Sequence, residues 1–83
     1  MKKWIVTYID CGDSCDCKPR VLAVCDTKEK AKETFLTDWN HYIYHLWQNG
    51  IDKDELVMDV DKMSICMPGN NIGREWNIEE VAV

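Results

Sequence analysis

Long apolar runs, glycine-rich loops and paired zinc-type cysteine motifs are all missing from this sequence. No stretch approaches the ~18 apolar residues that a membrane helix requires. The apolar run after Met1-Lys2-Lys3, from Trp4 to Ile9, stops at Asp10 and is too short for the core of a secretory signal. Cys11 follows Asp10 where a lipoprotein signal needs a small residue. These absences lead to the expectation of a cytoplasmic protein without membrane contact. Gly12, Gly50, Gly69 and Gly73 all stand in turn-like segments and form neither a Walker nor a Rossmann pattern, so no phosphate cradle is expected. His41 and His45 are spaced i, i+4, but Tyr42-Ile43-Tyr44 lies between them, without the glutamate of a His-Glu-x-x-His metalloprotease. A reactive cysteine would need a histidine held by a third group in a concave pocket, for which so short a chain leaves little concavity, and no enzyme is expected.

What is present describes one soluble globular domain spanning residues 1–83. Hydrophobic residues make up 46% and charged residues 30%, with a net charge of −5, the composition of an ordinary folded protein. Residues 1–32 carry seven basic and five acidic side chains, residues 33–83 three basic and ten acidic. The acidic second half repels nucleic-acid phosphates and favours a basic partner surface. The same acidity also serves plain solubility.

Residues 3–9 alternate Trp4, Val6 and Tyr8 with Ile5, Thr7 and Ile9, the pattern of a strand apolar on both faces. Cys11 to Pro19 has turn composition and Arg20 to Cys25 is a second β-rich run, so the first 25 residues predict a hairpin with a long tip. Asp26 with Glu29 three positions on forms a capping-box pattern, and Asn49-Gly50 is a stop signal, predicting a helix over 27–49. Ala31, Phe35, Trp39, Tyr42 and Leu46 fall on one stripe, widened by Leu36, Ile43 and Trp47, and that face should lie on a sheet. The run 56–67 changes parity near Asp61-Lys62, as a β-bulge or bend in a strand would produce. Residues 68–73 read as a turn, and 74–83 as a last strand carrying Trp76, Ile78, Val81 and Val83. The expected fold is α+β: about four strands in a mixed or antiparallel sheet, one long helix on one face, order ββαββ.

Cys11-x3-Cys15-x-Cys17 places three soft ligands in seven residues. Thiolates bind zinc or copper(I), and Cys66 could supply a fourth if its strand runs toward the loop. Cys25 belongs at the far end of the second strand. No cofactor is expected, with zinc on Cys11, Cys15, Cys17 and Cys66 as the alternative, against the plain reading of reduced thiols in an exposed loop. Asp38, His41 and His45 share one helical strip and could chelate an ion, although on that polar side histidines need no special role. The four tryptophans suit binding. Trp4 and Trp39 read as core, while Tyr44 lies opposite the core stripe and Trp47 at its border, as interface anchors do. Isolated exposed rings are also common. Trp76 on the last strand could serve similarly, and if that strand is an edge its unpaired backbone could also recruit a partner strand.

The segments Trp4-Ile5-Val6-Thr7-Tyr8, Val21-Leu22-Ala23-Val24-Cys25-Asp26-Thr27-Lys28-Glu29-Lys30-Ala31-Lys32 and Trp76-Asn77-Ile78-Glu79-Glu80-Val81-Ala82-Val83 give the chain its likeness to known proteins. It resembles the small acidic proteins of phages and mobile elements, anti-CRISPR proteins and other defence inhibitors among them, in which a hairpin leads through a capped junction into a helix and a final strand closes the sheet. The resemblance covers about half of the chain at capping and core positions, so it implies fold more than function, and no family residue carries over. It implies an inhibitor that occupies a site on a bacterial nuclease, and with the acidic second half the expectation is a non-enzymatic, phage-encoded interaction protein that binds a basic or nucleic-acid-binding surface of a host protein. On the residues' own evidence the contacts expected are Asp52, Asp54, Glu55, Asp59 and Asp61, with Tyr44 and Trp47 as anchors. A metal-binding or thiol-sensing module built on the cysteine loop is the alternative, and a homodimer pairing through an edge strand a third reading.

Overall fold

The β-branched and aromatic residues 4–9 form the middle of a ten-residue strand at the amino terminus, long enough to organise the sheet. The computed structural model describes residues 1–11, 18–70 and 72–83. β1 (Lys2–Cys11) pairs antiparallel with β2 (Arg20–Cys25) on one side and along its full length with β5 (Ile72–Ala82) on the other. Between them in sequence come α1 (Lys28–Gln48), a short 3₁₀ turn (Lys53–Glu55), β3 (Val57–Asp59) and β4 (Ser64–Met67). The sheet order is β2-β1-β5-β4-β3, antiparallel throughout.

The α+β class with one helix on one sheet is as expected, whereas the strand count is corrected from about four to five and the order to ββαβββ. The parity change near Asp61-Lys62 is a hairpin turn between two strands, rather than a bulge or bend within one. Asp59 Oδ1 accepts from the backbone N–H groups of Asp61 and Lys62, each at 3.1 Å, and Met63 takes a left-handed φ of 53°. Chain reversal there splits the run 56–67 into β3 and β4. A second correction concerns β5, which lies between β1 and β4. Trp76 is therefore a buried core residue rather than an edge anchor.

The helix begins one residue later than Asp26 would set it. Thr27 is the N-cap, its Oγ1 accepting from Lys30 N at 3.1 Å, because the Asp26 carboxylate pairs instead with Lys3 Nζ across β1. Ala31, Phe35, Trp39 and Leu46 are buried, as their stripe requires. Ala31, Phe35 and Trp39 cluster with Val6, Cys25, Ile65 and Trp76, and the Phe35, Trp39 and Trp76 rings meet pairwise at 5.4–5.6 Å, the spacing of attractive aromatic contacts. Gly73 admits β4 closely: a Cβ there would stand 2.8 Å from Ile65 O.

α1 lies over β2 and β1 and only reaches β5. Five strands at about 4.8 Å span roughly 19 Å between edge axes, while one helix covers only about 10 Å. Side chains of α1 nevertheless reach over β4, whose Ile65 is buried in one cluster with Phe35 and Trp39, and exposure returns only at Met58 and Val60 of the β3–β4 hairpin.

Candidate functional site

The carboxyl-terminal turns of α1 carry the largest exposed aromatic pair. Tyr44 and Trp47 are 56% and 60% exposed, with ring centroids 5.9 Å apart and planes tilted by 31°. They stand three residues apart, the spacing at which helical side chains meet. Gln48 Nε2 donates to the Tyr44 hydroxyl at 3.2 Å, which holds the ring over the last turn. The helix then stops as Asn49-Gly50 predicts. Gly50 N donates to Trp47 O and Ile51 N to Leu46 O, both at 3.0 Å, with Gly50 at a φ of +86°, the Schellman arrangement for which glycine is suited.

That reversal brings the acidic turn back beside the rings. Lys53 shares with Asn40, Ile43, Tyr44 and Trp47 a shallow hollow of about 360 Å³. Asp52, Asp54 and Glu55 surround Lys53 and are exposed. The acidic residues named from sequence divide by role. Glu55 Oε2 accepts from Asp52 N at 2.9 Å, which closes the 3₁₀ turn, and Asp59 holds the β3–β4 turn. Asp52 and Glu55 form the capping box of that turn, so Asp54 and Asp61 are the exposed charges that can meet a partner without loss of a turn-closing acceptor of that kind. Asp61 stands apart from the aromatic pair, in a hollow with Val60, Met63 and the first turns of α1.

The cysteine proposal falls largely outside the described residues, since Cys15 and Cys17 belong to 12–17. The backbones of Cys11 and Cys66 both pair with Gly73, from its two sides, so β4 does run so as to carry Cys66 to the loop end of the sheet, where it is exposed. Cys25 is buried at the other end, its Sγ 3.7 Å from Thr34 Oγ1. Among the described residues no three His, Cys, Asp or Glu side chains are grouped to hold a metal ion. The Asp38–His41–His45 strip is not a ligand set: Asp38 Oδ2 turns toward the sheet and accepts from Trp76 Nε1 at 2.7 Å and Arg74 Nη1 at 3.1 Å.

Arg74, absent from the sequence reading, centres the main polar cluster. Its guanidinium lies 4.2 Å from the Tyr8 ring centroid and 4.6 Å from that of Tyr42. Asp10 receives two of its hydrogen bonds, at 2.6 and 3.2 Å. Burial alone would lower the arginine's pKa, but the hydrogen bonds and charges of Asp10 and Asp38 outweigh it and raise the pKa above its ordinary value. A signal existed: Arg74, Trp76 and Ile78 share one parity, as do Asp10, Tyr8 and Val6, so an arginine in a core-facing register called for a carboxylate partner. Its contacts are all within the fold and serve stability.

Among the described residues no helix is long and apolar enough to cross a membrane. No protein-family model matches the chain, and no curated protein or solved structure is significantly similar to it.

Proposed function

We propose that the chain is a non-enzymatic protein-interaction module that binds a basic or nucleic-acid-binding surface of a host protein, as a phage-encoded inhibitor of the anti-CRISPR kind does. The observation that carries this reading is the exposed Tyr44–Trp47 pair, which shares a hollow with Lys53 of the otherwise acidic turn 52–55. Two large rings held together on a capped helix end present apolar area with little rotamer entropy left to lose, the quality of interface anchors. Neighbouring carboxylates accelerate encounter with a basic surface and add selectivity.

The test is capture of a protein from nuclease-treated lysate of the host bacterium on tagged chain, repeated with Trp47→Ala and with Asp54→Lys/Asp61→Lys. These substitutions spare Glu55 and Asp59, whose carboxylates close turns. The captured protein should elute with salt, and Trp47→Ala should weaken its binding about 30-fold, the loss typical of a hot-spot ring. Undiminished capture by both variants would remove the proposal.

A second reading, a metal-binding or thiol-sensing module, draws support from the common pairing of Cys11 and Cys66 with Gly73. Native mass spectrometry of protein prepared without chelator decides it. Stoichiometric zinc that disappears in Cys66→Ser supports this reading, and metal-free protein with freely alkylated thiols excludes it.

A further inference from the structure

β5 is paired on both sides for only part of its length. β4 runs beside it from Ile72 to Glu75, and the last bond on that side goes from Trp76 N to Met63 O at 2.9 Å. β5 continues beside β1 to Ala82, but among the described residues no strand lies on its other side beyond Trp76. The backbone groups of successive residues point to opposite edges of a strand. Trp76 N faces the β4 side and Val83 N donates to Met1 O on the β1 side. The N–H and C=O groups of Ile78, Glu80 and Ala82 therefore point into the gap, along roughly 14 Å of edge. Ile78 and Glu80 also line a hollow of about 580 Å³ that reaches from this edge to the β3–β4 turn and the first turns of α1. Trp4, Phe35, Leu36 and Met63 make it apolar, with Leu36 45% exposed. Its charged residues balance, Lys28 and Lys32 against Asp61 and Glu80. Ile78 lies opposite Val6 on the helix side of the sheet, so a residue set beside Ile78 on an added strand projects into the hollow.

We infer that this gap receives an extended segment of a partner protein, added to β5 in the column of β4 with a large apolar side chain in the hollow. The segment runs antiparallel to β5, as every other pair of this sheet does. Strand form follows from the row of backbone donors and acceptors at Ile78, Glu80 and Ala82, which matches the backbone of an extended chain. The apolar side chain follows from the lining, and its lack of charge from the balance of lysines and carboxylates. On the outer face Glu79 is exposed and favours lysine or threonine beside it. A second copy fits less well: β5 paired with itself about the middle of this edge sets Glu80 against Glu80, and like charges directly opposite destabilise a strand pair. The gap adjoins the amino-terminal turns of α1, away from Tyr44 and Trp47, and the inference does not rest on the function proposed for that pair.

The probe is the synthetic peptide Lys-Val-Thr-Leu-Thr-Val-Lys, acetylated and amidated, with binding read by tryptophan fluorescence and by amide hydrogen exchange. In the free chain the amides of Ile78 and Glu80 should exchange at least about tenfold faster than those of Asn77 and Glu79, which bond to β1, and the peptide should slow them. The peptide should bind with a Kd of about 100 µM or below. N-methylation of its valines and leucine, whose N–H groups face β5 in an antiparallel pair, should weaken binding at least about tenfold, and N-methylation of its threonines less than about threefold. Glu80→Pro removes an N–H that points into the gap and none that serves β1, and should weaken binding at least about tenfold. Glu80→Ala, which keeps that N–H, should weaken it less than about threefold, and Leu36→Gln in the hollow at least about threefold. Thermal melting verifies that each variant is folded, and the methylated peptides carry the test should Glu80→Pro not fold. Equal protection of all four amides before peptide is added would show the edge already covered and overturn the proposal. No binding at about 1 mM, or equal effects of the two methylated sets, would overturn it as well. A chain that sediments as a dimer and becomes monomeric in Glu80→Pro would assign the edge to a second copy and overturn the partner strand.

Discussion

Arg74 shows how a charged side chain enters a small core without strain on the fold. Its planar group is stacked between Tyr8 and Tyr42 and bonded to Asp10 and Asp38. Loss of the cation leaves two carboxylates facing each other in a half-buried site, and Arg74→Leu should cost about 2–3 kcal/mol, somewhat below the range for fully buried pairs. Arg74→Lys keeps the charge but loses the fork and the stacking, and should still cost about 1–2 kcal/mol. Urea denaturation of both variants measures the difference, and equal stability of Arg74→Leu and the parent would contradict this account. Because the arginine's pKa is raised on folding, its contribution is complete at every pH below the unfolded value and is lost only as pH rises through the folded one. A pH scan from about 6 to 9 should therefore show no change attributable to Arg74. Gly73 makes a steric case of the same size. An added methyl meets the Ile65 carbonyl at 2.8 Å, both partners are backbone-held, and Gly73→Ala should destabilise by about 1–3 kcal/mol.

At the scale of elements, the start of α1 offers two candidates for the N-cap, the Asp26 carboxylate and the Thr27 hydroxyl. Thr27→Ala should cost about 1 kcal/mol through loss of the cap to Lys30 N, and Asp26→Ala less than about 0.5 kcal/mol because its exposed pair with Lys3 is screened. The reverse ranking in thermal melts would return the cap to Asp26. This case also marks the limit of local sequence reading. The capping-box pattern was legible in four adjacent residues, but its aspartate is claimed by Lys3, 23 positions away, and no local pattern carries that information. Periodicity resolved β1, β2, the α1 stripe and the stop at Asn49-Gly50, since each depends on neighbours in sequence. The β3–β4 hairpin stayed hidden because its left-handed turn residue is Met63, where composition leads one to look for glycine or asparagine. The central place of β5 likewise follows from pairing with β1 rather than from its own residues. Tyr44, Trp47 and the acidic turn were nameable from the helical wheel and charge, whereas their adjacency arises from the Schellman reversal.

For the whole molecule, the uneven charge and the exposed rings assign different kinetic roles to the two parts of the proposed surface. Residues 33–83 hold ten acidic and three basic side chains, a field that reaches about a Debye length, roughly 10 Å at 0.1 M salt. It therefore acts before contact and on the rate of encounter. Tyr44 and Trp47 act only once desolvated, and therefore on the lifetime of the complex. With the captured host protein immobilised, a rise from about 50 to about 500 mM salt should slow association at least about tenfold and change dissociation by less than about threefold. Trp47→Ala should do the opposite, with faster dissociation and an association rate close to that of the parent. Asp54→Lys/Asp61→Lys should mimic high salt and flatten the salt dependence. An association rate indifferent to salt in the parent chain would mean that the acidic half plays no part in recognition, and the rings alone would then have to account for the choice of partner.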